Sequence, residues 1–114
     1  QTLTGIPRLW QIRKAPQLAF NCHIWPFETG LRFDPCPSVI LAEVYPSLVA
    51  PRFLKGRPKD AGQVAAIGRR YAELDTEDTL ESLFEGDPAL TADIRQGVEA
   101  EEAWILGVRD RNIL

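Results

Sequence analysis

The sequence predicts an α/β domain, with a short central sheet formed early in the chain and C-terminal helices packed on it. Three observations carry this. Val39, Ile40, Leu41, Ala42 and Val44 form a nearly continuous apolar run, which suits a strand covered on both faces. The stretch FNCHIWPFE is aromatic and β-branched and contains Pro26, so it favours extended chain and forbids a long helix. From Lys59 onward the apolar residues recur at helical spacing instead.

The elements follow in the order α-β-β-α-α-α. TGIPRLWQIRKAP reads as a short helix, with Thr4 or Gly5 as cap, Pro7 at an early helical position, Ile6, Leu9, Trp10 and Ile12 as a partial apolar stripe, and Pro16 as the stop. FNCHIWPFE is the first strand, and SVILAEVYP, residues 38–46, is the second, ended by Pro46. SLVAPRFLKGRPK, with two prolines, a glycine and four basic residues, is a loop. KDAGQVAAIGRRYAEL is a helix that places Ala61, Val64, Ala65, Gly68, Tyr71 and Ala72 on one face. DTEDTLESLFEG is expected to be helical, capped by Asp75 or Thr76 and closed by Gly86. The last helix is expected to start with Asp87 as N-cap and Pro88 as its first residue, and to end at Gly107.

At 114 residues, 45% of them hydrophobic and 25% charged, the chain is that of a single globular domain with one core. The net charge of −3 exerts no global pull toward nucleic acid or anionic membrane. No apolar run reaches the length of a membrane span, and a cytoplasmic location is the expectation. Cys22 and Cys36 are too few for a disulfide framework and lack zinc spacing. Reduced thiols are the default reading, and a single Cys22–Cys36 bridge between strand ends is the alternative. The charge is unevenly placed: residues 1–59 hold eight Lys or Arg against three acids, whereas residues 73–102 hold eleven acids and one base, Arg95. Either the acidic helices simply present solvated faces, or a basic front surface meets phosphate.

Three carboxylates are candidates for chemistry. Glu43 interrupts an apolar strand near its C-terminal end, where open α/β sheets bind ligands and where a charge needs a partner, water or a metal. The bland alternative is that it emerges at the strand end and meets Arg8 or Arg32. Asp60 stands in the first turn of its helix, where the macrodipole favours an acid. By helical spacing it shares a face with Val64, Ile67 and Tyr71, so it is expected either to look inward toward the strand ends or to be an ordinary helix-start acid. Glu28 sits in a turn beside Thr29 and Gly30, where it either assists a site or bonds nearby backbone amides. His23, the single histidine, reads as packed or surface-satisfied, and Ser47 has no sequence partner that would make it a nucleophile. The Gly-rich, P-loop, HExxH and GxSxG signatures are absent. Acid-based metal chemistry remains: Glu43 and Asp60 on Mg2+ or Mn2+, which bind few carboxylates and leave positions for water and phosphate. Arg52, Lys55, Arg57 and Lys59 are the candidate phosphate contacts.

These stretches resemble a family. WPFETG, LAEVYPS and KDAGQVAAI are similar to the C-terminal part of bacterial proteins of unknown function related to predicted RNase H-like nucleases of the DUF429 type. The likeness spans roughly residues 4–107. It implies a fragment of an RNase H-like fold, with Glu43 and Asp60 as two members of an acidic metal cluster. That fold opens with a hairpin whose first strand carries an essential Asp, and residues 1–114 contain no counterpart. The chain is therefore expected to be the C-terminal part of a longer protein, a single α/β domain lacking its first strands and catalytically incomplete by itself. Some members of the family carry labels for molybdopterin or cobalamin cofactor synthesis.

Two function classes follow. One is metal-dependent phosphodiester hydrolysis in the full-length protein, with nucleic acid or nucleotide as partner. The other is a non-catalytic binding or assembly domain, such as an accessory to cofactor biosynthesis or a homodimer formed through an exposed sheet edge.

Overall fold

The structure, a computed structural model, describes residues 2–37, 39–51 and 54–109. Its elements are α1 (Thr2–Lys14), β1 (Cys22–Ile24), β2 (Val39–Leu41), a 3-10 turn (Pro46–Leu48), α2 (Lys59–Thr76), a second 3-10 turn (Leu80–Glu85), α3 (Ala92–Gly97) and a π-helical turn (Val98–Glu102). The α/β class and the early-strand, late-helix order agree with the sequence reading.

β1 and β2 pair in parallel, with Cys22 opposite Val39, His23 opposite Ile40 and Ile24 opposite Leu41. A parallel pair cannot be closed by a tight hairpin, and here the turn after Ile24 and the loop that follows it make the crossover. Beyond β2, Glu43 forms a single parallel bridge with Ile105, in which the Leu106 amide donates to the Glu43 carbonyl at 2.9 Å. The second strand is three residues long, not 38–46, and its residues are half-buried. Two-sided burial needs layers on both faces, and among the described residues Ile40 and Ala42 are packed against one core but stay half-buried. Cys22 and Cys36 are free thiols, the first buried and the second exposed.

The core gathers Trp25, Leu31, Leu74, Leu83, Phe84, Val98 and Leu106, with Ile40, Ala42, Tyr71 and Trp104 packed against it. It therefore joins the turn after β1 to the end of α2, the second 3-10 turn and the π turn. Trp25 meets Phe84 edge to face, with centroids 5.9 Å apart at 87°, and its indole N–H donates to the Phe84 carbonyl at 3.0 Å.

The helices depart from expectation in three ways. In α2 the buried residues are Gly62, Ala66, Ile67 and Leu74, so the inward face is rotated from the expected one, and Val64 is 60% exposed. The packing of α2 onto the turn at Pro46–Leu48, where the Gln63 amide donates to Ser47 Oγ at 3.0 Å, fixes that rotation. The segment after α2 winds as a 3-10 turn and ends at Gly86 with φ 69°. The last helix does not start at Pro88: the Asp87 carboxylate caps a turn by accepting from the Ala89 amide at 2.8 Å. α3 begins instead after Thr91, whose hydroxyl accepts from the Ile94 amide. It widens into the π turn, closed by Ala103 N–H on the Val98 carbonyl at 3.1 Å, and stops at Ala103, before Gly107.

α1 lies apart from this core. It starts two residues before Thr4 and holds Pro7 inside, and every side chain from Thr4 to Ile12 is exposed. The radius of gyration is 15.2 Å, against about 13 Å for a close-packed domain of this length.

Candidate functional site

The three candidate carboxylates occupy three different surroundings. Glu28 is held in the coil that follows β1. Its own amide donates to the Ile24 carbonyl at 2.8 Å. Its carboxylate accepts from the Ile24 amide at 2.7 Å and takes a bidentate grip from Arg13, at 3.2 and 2.8 Å. The Arg13 guanidinium, helped by that amide, holds its carboxyl below the usual carboxylate range. Glu28 is thus the turn carboxylate bonding a nearby amide, and it also ties α1 to the rest of the chain.

Glu43 stands at the C-terminal end of β2 and is exposed. It lines an open cleft of about 300 Å3 with Glu102, Ala103, Trp104, Ile105 and Val108. Neither Glu43 nor Glu102 has a side-chain hydrogen-bond or ion-pair partner among the described residues. Arg8 donates to Gln11 and Arg32 to the Thr29 carbonyl, so neither arginine neutralises Glu43. Ala103 has φ 65° and ψ 178°, a region open almost solely to glycine.

Asp60 lies in the first turn of α2, as expected. Its side chain is exposed, however, and Val64 beside it is exposed too. The inward-looking placement is corrected: the docking of α2 through Gly62, Ala66 and Ile67 turns Asp60 to solvent. Asp60 does not line the Glu43 cleft. Among the described residues no three His, Cys, Asp or Glu side chains are grouped to hold a metal ion. The donor set offered to one place is at most the pair Glu43 and Glu102, which falls short of the acidic cluster an RNase H-like centre implies. Of the basic loop, Lys55, Arg57 and Lys59 are exposed, and Arg52 lies outside the described residues. His23 Nδ1 stands 3.6 Å from Asp34 Oδ2. The Cys36 amide is the main cause holding the Asp34 carboxyl below its ordinary value.

A second cleft, of about 450 Å3, is lined by residues 26–32 together with Arg95 and Glu99. Sequence reasoning missed Glu99 and Glu102, because they enter as part of an acidic run and only the π turn separates them. Arg95 carried a signal: it is the one base in the run of acids from Glu73 to Glu102.

No protein-family model matches this chain, and neither does any curated protein or solved structure.

Proposed function

We infer that this chain is a non-catalytic binding or assembly domain whose contact surface is the outer face of α1 and whose partner is a second copy of the chain. One observation carries the reading. Ile6, Leu9, Trp10 and Ile12 are 60%, 50%, 59% and 43% exposed on one helix that takes no part in the core. An apolar stripe of this kind on an otherwise polar helix marks an interaction surface. The charge argues for self-association. α1 carries Arg8, Arg13 and Lys14 and no acid, while eleven acids lie between Glu73 and Glu102, so opposite signs meet when α1 of one copy lies on the helical half of another. Sedimentation velocity over a concentration series tests it. The expected result is a dimer that Leu9→Asp converts to monomer and that added salt weakens. A wild-type chain that stays monomeric at the highest concentration refutes it.

A second reading, metal-dependent phosphodiester hydrolysis on an RNase H-like scaffold, is favoured by the Glu43 cleft. A carboxylate just past the C-terminal end of a parallel strand, sharing a cleft with a second carboxylate, is where such chemistry is built. The described residues do not assemble the full donor set, so this reading assigns Glu43 a share in a site and no reaction step. Manganese broadening of the NMR signals of Glu43, Glu102 and Asp60 tests it. Broadening at Glu43 that Glu43→Gln removes supports the reading, and a spectrum unchanged by manganese rejects it.

A further inference from the structure

We propose that the cleft between the turn after β1 and the π turn binds a phosphate monoester carried on a hydroxylated sugar. The proposal does not depend on the exposed apolar stripe of α1; of that helix it uses only Arg13, which pairs with Glu28.

The cleft is built by backbone. Residues 25–30 coil tightly, with the Glu28 amide on the Ile24 carbonyl at 2.8 Å and the Gly30 amide on the Pro26 carbonyl at 2.7 Å. The coil is then tied to the C-terminal half. Glu99 Oε1 accepts from the Leu31 amide at 2.7 Å. Arg95 donates to the Leu31 carbonyl at 3.1 Å and to the Glu85 carbonyl at 3.2 Å. Gly30 has φ 73°, and a Cβ there would come within 3.3 Å of Glu99 Oε1, so this position keeps the cleft open beside the carboxylate.

The charged groups in the cleft do not pair with one another. Glu28 is neutralised by Arg13. Arg32 and Arg95 have no ion pair among the described residues and hold only carbonyl oxygens. A guanidinium has five N–H donors. Arg32 spends one and Arg95 two, so four and three remain. The lining itself holds two arginines and two glutamates and sums to zero; with Arg13 paired to Glu28 from outside the lining, Arg32 and Arg95 against Glu99 leave one positive charge uncompensated. Two guanidinium groups with unspent donors on one cleft fit the planar, bidentate recognition of a phosphate.

Glu99 specifies the rest of the ligand. One of its oxygens is committed to the Leu31 amide, and the other is an unspent acceptor. A bare phosphate meets that acceptor as a like charge. A ligand that carries a hydroxyl donor next to its phosphate satisfies it. Phe27, 46% exposed on the cleft wall, supplies an apolar flank for a sugar ring.

The test is titration of the 114-residue chain with ribose 5-phosphate, inorganic phosphate and ribose, followed by amide NMR shifts. Ribose 5-phosphate is expected to bind most tightly, with shifts at Thr29, Gly30 and Leu31, and ribose not to bind. Arg32→Ala is expected to weaken ribose 5-phosphate about tenfold, the loss of one charge-assisted contact. Glu99→Gln retains an oxygen for the Leu31 amide and is expected to strengthen inorganic phosphate while narrowing its gap to ribose 5-phosphate. Equal binding of phosphate and ribose 5-phosphate by the wild-type chain overturns the sugar assignment. No saturable shift up to about 10 mM, the range of the weakest specific ligands, or full affinity in a folded Arg32→Ala chain, overturns the site.

Discussion

Trp25→Phe is the most informative perturbation of the fold. Trp25 is 2% exposed, its indole N–H donates to the Phe84 carbonyl in the interior, and its ring meets Phe84 edge to face. Phenylalanine keeps an aromatic ring but loses the donor. Leaving that carbonyl unpaired costs about 1–3 kcal/mol. The missing part of the indole leaves a void that adds roughly 1 kcal/mol at about 24 cal/mol per Å3. The loss is then about 2–4 kcal/mol, a large part of the roughly 6–17 kcal/mol available to a domain of this length. It corresponds to a fall in Tm of about 10 °C. Urea unfolding followed by circular dichroism measures it, with the midpoint falling and the slope unchanged. Trp10→Phe is the control: Trp10 is 59% exposed, outside the core, with the Lys14 ammonium 4.6 Å from its ring centroid, so its effect is expected within about 0.5 kcal/mol. A loss below about 1 kcal/mol for Trp25, or equal losses at both positions, would falsify the view that the Trp25–Phe84 contact organises the core.

Three further outcomes are expected. Glu28→Gln should lower the urea midpoint at neutral pH and not in acid. The folded carboxyl lies below its unfolded value because Arg13 and the Ile24 amide favour the charged form. Its contribution is therefore full above the unfolded pKa of about 4.3 and is lost as pH falls through the folded value; a midpoint difference that persists in acid contradicts this. Ala103→Gly should raise stability by up to about 1 kcal/mol, because relief of backbone strain of about 1–3 kcal/mol exceeds the entropy cost of glycine, about 0.5–1 kcal/mol; thermal unfolding gives the sign. Gly86→Ala should destabilise by more than about 1 kcal/mol, since φ is 69° and the new Cβ would lie 3.1 Å from Leu31 Cδ2; an unchanged Tm contradicts the packing described.

The sequence made the strand regions and the helix at Lys59 legible, because apolar runs and helical spacing act locally. The helix face was not legible. Ala61, Val64 and Ala65 are as apolar as Gly62, Ala66 and Ile67, and only docking on the turn at Pro46–Leu48 chooses between them. Asp60 followed that rotation out to solvent. The last helix was misread for a related reason. Asp87 and Pro88 form a good start signal, yet the Asp87 carboxylate is spent on a turn, and Thr91 caps the helix instead. Arg13 and Glu28 are fifteen residues apart in the chain, so their pairing had no local signature, whereas the turn character of Glu28 was readable from Thr29 and Gly30.

The π turn at Val98–Glu102 supplies one carboxylate to each of the two clefts. In regular α winding, Glu99 and Glu102 would stand about 60° apart around the axis, on one side of the helix. The wider winding instead sends Glu99 to the Leu31 amide and Glu102 to the cleft of Glu43. Returning that turn to α pitch removes one residue from the winding and shifts both carboxylates at once. The local winding of five residues thus sets the position of a carboxylate in each cleft.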